Sequence, residues 1–270
     1  MKKLLVFGCS YSDKKYVELT TKDPILKQHM NDNSGNLVDP FLFWPELLAK
    51  KLNMELVNFA QCGFGNDGIH SMFMDEIVNQ KNIGLVVIMW SEFMRIGFEV
   101  EKRTGVTRSY DWFKVNINAT DRNTDLRENK IEVTNVLNKY GCLSPSSMLK
   151  RSLRLFLSAQ NTCENMKIPY MQVMGMPASK KVLEVEMCKS LIKSPYLDKI
   201  NQDKFIGWPM FPQLDGYSFG SKLYDLDPDR EKYFINSENV HPSKLGQEKI
   251  TEWLYNESLG RLPATKENWI

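Results

Sequence analysis

Four short stretches of this chain are apolar without alternation: Lys3–Gly8, Glu55–Ala60, Gly84–Trp90 and Pro169–Gly175. Val, Ile, Leu, Met and Phe dominate them, the composition of parallel strands covered on both faces. Helical patterns flank these runs at Phe43–Leu52, Gly68–Asn79, Ser146–Met166, Lys180–Ile192 and Ser243–Leu259. In Ser146–Met166 the apolar positions recur at helical spacing, and the Ser146-Ser147 pair suits an N-terminal cap. Strand–helix alternation of this kind predicts an α/β fold, doubly wound about a mainly parallel sheet.

Three stretches interrupt the rhythm. Residues 13–40 are polar and rich in turn formers, residues 92–141 mix β-branched side chains with charges and asparagines, and residues 194–237 combine aromatics with Pro, Gly and Asp. The second is expected to form hairpins or an excursion from the sheet. With 270 residues and no internal repeat, the chain suits one α/β domain spanning 1–270, with these stretches as insertions. In such sheets the ligand crevice lies beyond the carboxyl ends of the strands, where long loops serve as lids or walls.

Composition narrows the field. A hydrophobic fraction of 42% and six tryptophans supply a full core. The net charge of +2 is spread without a dense basic run, which argues against a nucleic-acid partner. Five widely spaced cysteines contain no CxxC pair, so reduced thiols and a cytoplasmic location are expected. The apolar run in MKKLLVFGCS is too short for a signal core, and no run approaches a membrane span.

The chemistry concentrates at the two ends. The block FGCSYS places Ser10 just past the first strand, facing the crevice with its own N–H. A serine hydroxyl becomes a nucleophile only when a base removes its proton. Of three histidines, His29 falls in a polar loop and His70 in a helix expected to pack on the sheet. His241 opens the last helix, where its ring can reach the crevice, and Glu238 lies three residues upstream to hold its other nitrogen. Taken singly, Ser10 and Ser12 also suit helix caps, and His-Pro suits a turn. In the middle block NFAQCGFGND, Gly63 suits close backbone approach to a ligand, and Asn66 suits either an oxyanion donor or a helix cap.

FGCSYS, NFAQCG and ExxHPSxxGQ resemble blocks I, II and V of the SGNH/GDSL hydrolase superfamily, and the matched positions span residues 4 to 254. The resemblance implies a flavodoxin-like three-layer α/β/α sandwich. It implies Ser10 as nucleophile, Gly63 as oxyanion donor, His241 as base and Glu238 as supporting acid. The chain departs from the pattern at Cys9, where block I has aspartate, at Glu238, where the acid is usually Asp, and in MWSEFMR, which lacks the block III asparagine. Asn66 or the Ser91 hydroxyl is expected to stand in for that donor, and Ser91 and Trp90 are expected to contact the substrate.

The expected activity is hydrolysis of a small acyl ester, including O-acetylated carbohydrate, without a cofactor or metal. The same site would be an acyltransferase if a sugar hydroxyl displaced water, and a binding module if turnover were lost. Trp208, Phe211, Tyr217 and Phe219 form either a substrate wall or the insertion's own small core. Cys9 and Cys62 lack a cationic sequence neighbour that would activate a thiol. Asp225, Asp227 and Asp229 resemble the start of a calcium loop, but Arg230 occupies the glycine position, which favours an acidic turn.

Overall fold

The computed structural model describes residues 1–17, 30–104, 107–116, 124–179 and 181–261. His29 lies outside the described residues. Five parallel strands form the central sheet: β1 (Lys3–Phe7), β2 (Glu55–Asn58), β3 (Ile83–Trp90), β6 (Tyr170–Met174) and β7 (Phe205–Ile206). Their order is β2-β1-β3-β6-β7, the flavodoxin-like arrangement in which chain direction across the sheet reverses beside β1. β1 and β6 are buried almost throughout, as their unbroken apolar composition requires.

Two groups of helices cover the sheet and make the fold a three-layer α/β/α sandwich. One joins α1 (Trp44–Leu52), α6 (Phe219–Leu226) and α7 (Lys244–Arg261). The Trp44 amide donates to Gln247 Oε1 at 3.0 Å, which locks α1 to α7. The other joins α2 (Asn66–Ile77), α4 (Pro145–Asn165) and α5 (Lys181–Ile192). Helix α4 buries Met148, Leu149, Leu153, Phe156, Ala159 and Cys163, an i, i+3, i+4, i+7 stripe. Its cap is Ser144, whose Oγ accepts from the Ser147 amide at 3.2 Å, and not the Ser146-Ser147 pair expected from sequence.

The expected hairpin in residues 92–141 is present: β4 (Arg95–Thr104) pairs antiparallel with β5 (Thr107–Asn116). A helix, α3 (Thr124–Lys139), follows it and was not anticipated. Strand β7 was also missed, because two residues carry too little pattern to register.

Register sets the site. Val6 lies level with Asn58 of β2 and Val87 of β3, so the loops leaving all three strands emerge together. The loop after β2 is fastened to the turn after β1: Phe59 N donates to Val6 O (2.8 Å), Gln61 N to Gly8 O (3.1 Å) and Asn58 Nδ2 to Ser12 O (2.8 Å). Cys62 N adds a bond to Asp13 Oδ2 at 2.9 Å. Gly8 permits this folding back, since a Cβ there would stand 2.6 Å from Ser12 Oγ.

Candidate active site

Ser10 lies in the tight turn that Ser12 N closes onto Cys9 O at 2.9 Å. Its side chain is buried, and its Oγ stands 2.8 Å from His241 Nε2, although 231 residues separate the two in sequence. The turn that delivers His241 is built locally. Residues Phe234 and Pro242 form an antiparallel bridge, and Ile235 N donates to His241 O at 2.9 Å. Upstream, Asp227 accepts backbone N–H groups of Glu231, Lys232 and Tyr233. Desolvation works against that carboxylate, but the three donors prevail and hold its pKa below the usual value. The acidic turn thus shapes the approach to His241. Tyr11 Oη then donates to Val240 O at 2.6 Å, pinning the histidine turn to the serine turn.

The second ring nitrogen departs from expectation. Asn239 Oδ1, not a Glu238 carboxylate, lies 2.7 Å from His241 Nδ1. Asn236 Oδ1 accepts both Glu238 N (2.9 Å) and Asn239 N (2.6 Å), and this local turn leaves Glu238 exposed while Asn239 is buried. The same Asn239 Oδ1 accepts the backbone N–H of His241 at 3.2 Å, which identifies that atom as oxygen. An acceptor at Nδ1 fixes the proton there and leaves the Nε2 lone pair directed at Ser10 Oγ–H. Tyr16 stacks on the imidazole, with centroids 3.9 Å apart and planes at 21°. Burial and, second, the Arg95 cation push the His241 pKa down to about 3, so the ring is neutral at ordinary pH.

Gly63 sits in the tied-down loop after β2 with φ +81°, a left-handed conformation that glycine adopts without strain. Among the described residues, neither its N–H nor that of Ser10 has a protein hydrogen-bond partner. Both amides therefore remain available as donors.

Asn66 is differently employed. It is buried as the first residue of α2, its Oδ1 accepts the Ser91 amide (2.8 Å), and its Nδ2 donates to Ser152 Oγ (3.0 Å). These bonds tie the end of β3 to α4, so the Asn66 amide serves the frame in place of the expected oxyanion role. Ser91 Oγ contacts Met176 Sδ at 3.8 Å in the buried interior. Trp90 is core: its Nε1 donates to Gln172 Oε1 (2.9 Å) and its ring packs on Phe156, so it lines no crevice.

Trp208 and Tyr217 follow β7, the edge strand that β3 and β6 separate from β1. Trp208 packs on Phe205, and Tyr217 N donates to Gly207 O at 2.8 Å. Phe211 meets Phe93, and Phe219 meets Trp253. Phe211 and Phe219 thus belong to the main core of the domain, with Trp208 and Tyr217 packed against it, so the insertion builds no separate core of its own.

His70 Nε2 pairs with Ser158 Oγ at 3.0 Å between α2 and α4, as a packed helix residue. Cys9 is buried with its Sγ against Met176 Sδ at 4.0 Å. One cavity of about 800 Å³ lies between residues 32–42 and the start of α7, and neither Ser10 nor His241 lines it.

Sequence reasoning missed two residues. Asn239 was discoverable as an Asx-turn former two positions before the histidine. Arg95, the last residue of MWSEFMR, opens β4 just after β3, and its charge acts on the buried His241 ring, which no feature of the sequence signals.

No protein-family model matches the chain, and no curated protein sequence matches it. Among solved structures, the chain is similar to a protein named for the lipolytic G-D-S-L family from Desulfitobacterium hafniense DCB-2. The match has 13% identity and a TM-score of 0.47, covering 95% of this chain and 99% of that one. It is also similar to one named as a GDSL-like lipase from Parabacteroides merdae ATCC 43184, at 12% identity and a TM-score of 0.46, covering 95% of each chain.

Proposed function

We propose that the protein is a serine ester hydrolase acting on a small acyl ester through an acyl-enzyme. The observation that carries this is the 2.8 Å contact between Ser10 Oγ and a His241 ring held neutral and in the Nδ1–H tautomer. His241 Nε2 takes the hydroxyl proton as Ser10 Oγ bonds to the ester carbonyl carbon, and the carbonyl oxygen becomes an oxyanion. The amides of Ser10 and Gly63 are the donors suited to that charge. As the C–O bond breaks, Nε2 returns its proton to the departing alkoxide. Water then attacks the acyl group by the same route and frees Ser10. A sugar hydroxyl in place of that water would make the reaction an acyl transfer.

The test pairs a fluorophosphonate label with p-nitrophenyl acetate hydrolysis. Labelling and turnover that both disappear in Ser10→Ala support the proposal. A folded protein that neither labels nor turns over is a binding module, and that outcome sinks it.

A further inference from the structure

Arg95 opens β4 with its side chain only 11% exposed, yet among the described residues it has a single side-chain partner. Its Nε donates to Glu92 Oε1 at 2.9 Å. Among the described residues, the terminal Nη1 and Nη2 groups have no hydrogen-bond partner, and neither is sealed from solvent. Four N–H donors on one planar fork therefore have no protein partner among the described residues.

The backbone fixes where Arg95 is anchored. A Cβ at Gly65 would lie 2.4 Å from Arg95 O, so β4 rests directly on the loop that carries Gly63. Arg151 Nη2 holds the same carbonyl from α4 at 3.4 Å. The guanidinium charge reaches Cys9 and Cys62, the neighbours of Ser10 and Gly63, and also Tyr11 and His241.

A bare cation here is costly to the chemistry. Proton transfer from Ser10 makes His241 an imidazolium, and Asn239 brings no negative charge to offset it. An anion laid across Arg95 would neutralise the nearby charge at that moment. A planar guanidinium with two free –NH2 groups matches a carboxylate or phosphate through paired hydrogen bonds.

We infer that Arg95 is the specificity-determining residue of an anionic subsite, so the preferred ester carries a carboxylate or phosphate group beside the scissile bond. This rests on the hydrolase proposal for the reaction, but the subsite can be tested without turnover.

Two pairs of probes are compared after subtraction of uncatalysed hydrolysis. 4-Nitrophenyl glutarate against 4-nitrophenyl pentanoate places the carboxylate on the acyl side. 3-Acetoxybenzoate against phenyl acetate places it on the alcohol side. The wild-type protein is expected to favour the anionic member of one pair by about tenfold or more in kcat/KM, chiefly through KM. Arg95→Gln should bring that ratio close to one, and Arg95→Lys should lower it because an ammonium cannot form the paired contact. Calorimetric binding of monomethyl glutarate and 3-acetoxybenzoate to Ser10→Ala, with and without Arg95→Gln, supplies the second readout. Turnover without anion preference overturns the subsite and leaves the hydrolase intact. Arg95-dependent binding without turnover of any probe overturns the hydrolase and leaves the subsite. A folded Arg95→Lys or Arg95→Gln that keeps the wild-type ratio also overturns the subsite.

Discussion

Asn239 Oδ1 lies 2.7 Å from His241 Nδ1, so a neutral amide occupies the place where an acid was expected. The amide orients the ring and selects its tautomer, but it cannot balance an imidazolium. Asn239→Ala should lower kcat/KM roughly 10- to 100-fold, the range for losing one orienting bond to a group that becomes charged. Asn239→Asp should raise the His241 pKa, because a carboxylate favours the cation. Its pH–rate profile should then show an acid limb at higher pH than wild type. An unmoved limb in a folded variant would mean that residue 239 does not act on the ring.

The depressed His241 pKa gives a pH dependence of definite sign. Neutral imidazole is the competent base, and burial followed by Arg95 holds it neutral down to about 3. Activity should therefore persist below pH 6.5, where an unperturbed histidine would already be protonated. Stability runs the same way. The unfolded chain binds a proton near pH 6.5 and the folded chain does not, so this contribution is intact above 6.5 and is lost as pH falls toward the folded value. A pH–rate profile and a melting series over pH 3–7 check the two claims. A kinetic limb at 6.5 would refute the first.

Gly65→Ala would press a Cβ to within 2.4 Å of Arg95 O and 2.7 Å of Arg95 C, both backbone atoms. Neither can swing away like a side-chain end, so the hairpin or the loop must move. A loss of roughly 1–3 kcal/mol is expected, as for other insertions into packed sites. Urea unfolding measures it, and a loss under about 0.5 kcal/mol, the range of an ordinary surface substitution, would show that the contact yields freely.

Asn66→Ala separates a framing role from an oxyanion role. The substitution leaves the buried Ser91 N–H without its acceptor, which costs roughly 1–3 kcal/mol. The expected result is a lowered Tm together with a modest change in kcat. Undiminished stability with kcat reduced by about 10² or more would restore Asn66 as an oxyanion donor.

Much of the frame was legible because long apolar runs have few alternatives. β1, β3 and β6 were found within a residue or two at each end, since an unbroken apolar strand must be covered on both faces. Helix α4 was found from its periodicity, and α1 and α5 from their place between the strands. α3 was missed because its composition is polar, with few apolar residues among its charges and asparagines. Ser10, Gly63 and His241 stood out because few residue types can be a nucleophile, a left-handed turn or a base. Glu238 was misassigned by the same logic: residue type nominated the acid, while a hydrogen bond from its own backbone to Asn236 turned it outward. Trp90 was offered as a substrate contact and proved to be core, since one-dimensional order does not say which face of the last strand position is covered.

By itself, then, the sequence determined the layered α/β plan and the residue types able to do acyl chemistry, because burial and reactivity are properties of side chains. Tertiary structure decided which of those residues meet. It joined Ser10 to His241 across 231 positions, gave the ring an amide partner and set Arg95 against Gly65. Those outcomes depend on loop hydrogen bonds and strand register, which fix distances to a fraction of an ångström and leave no periodic trace in the chain.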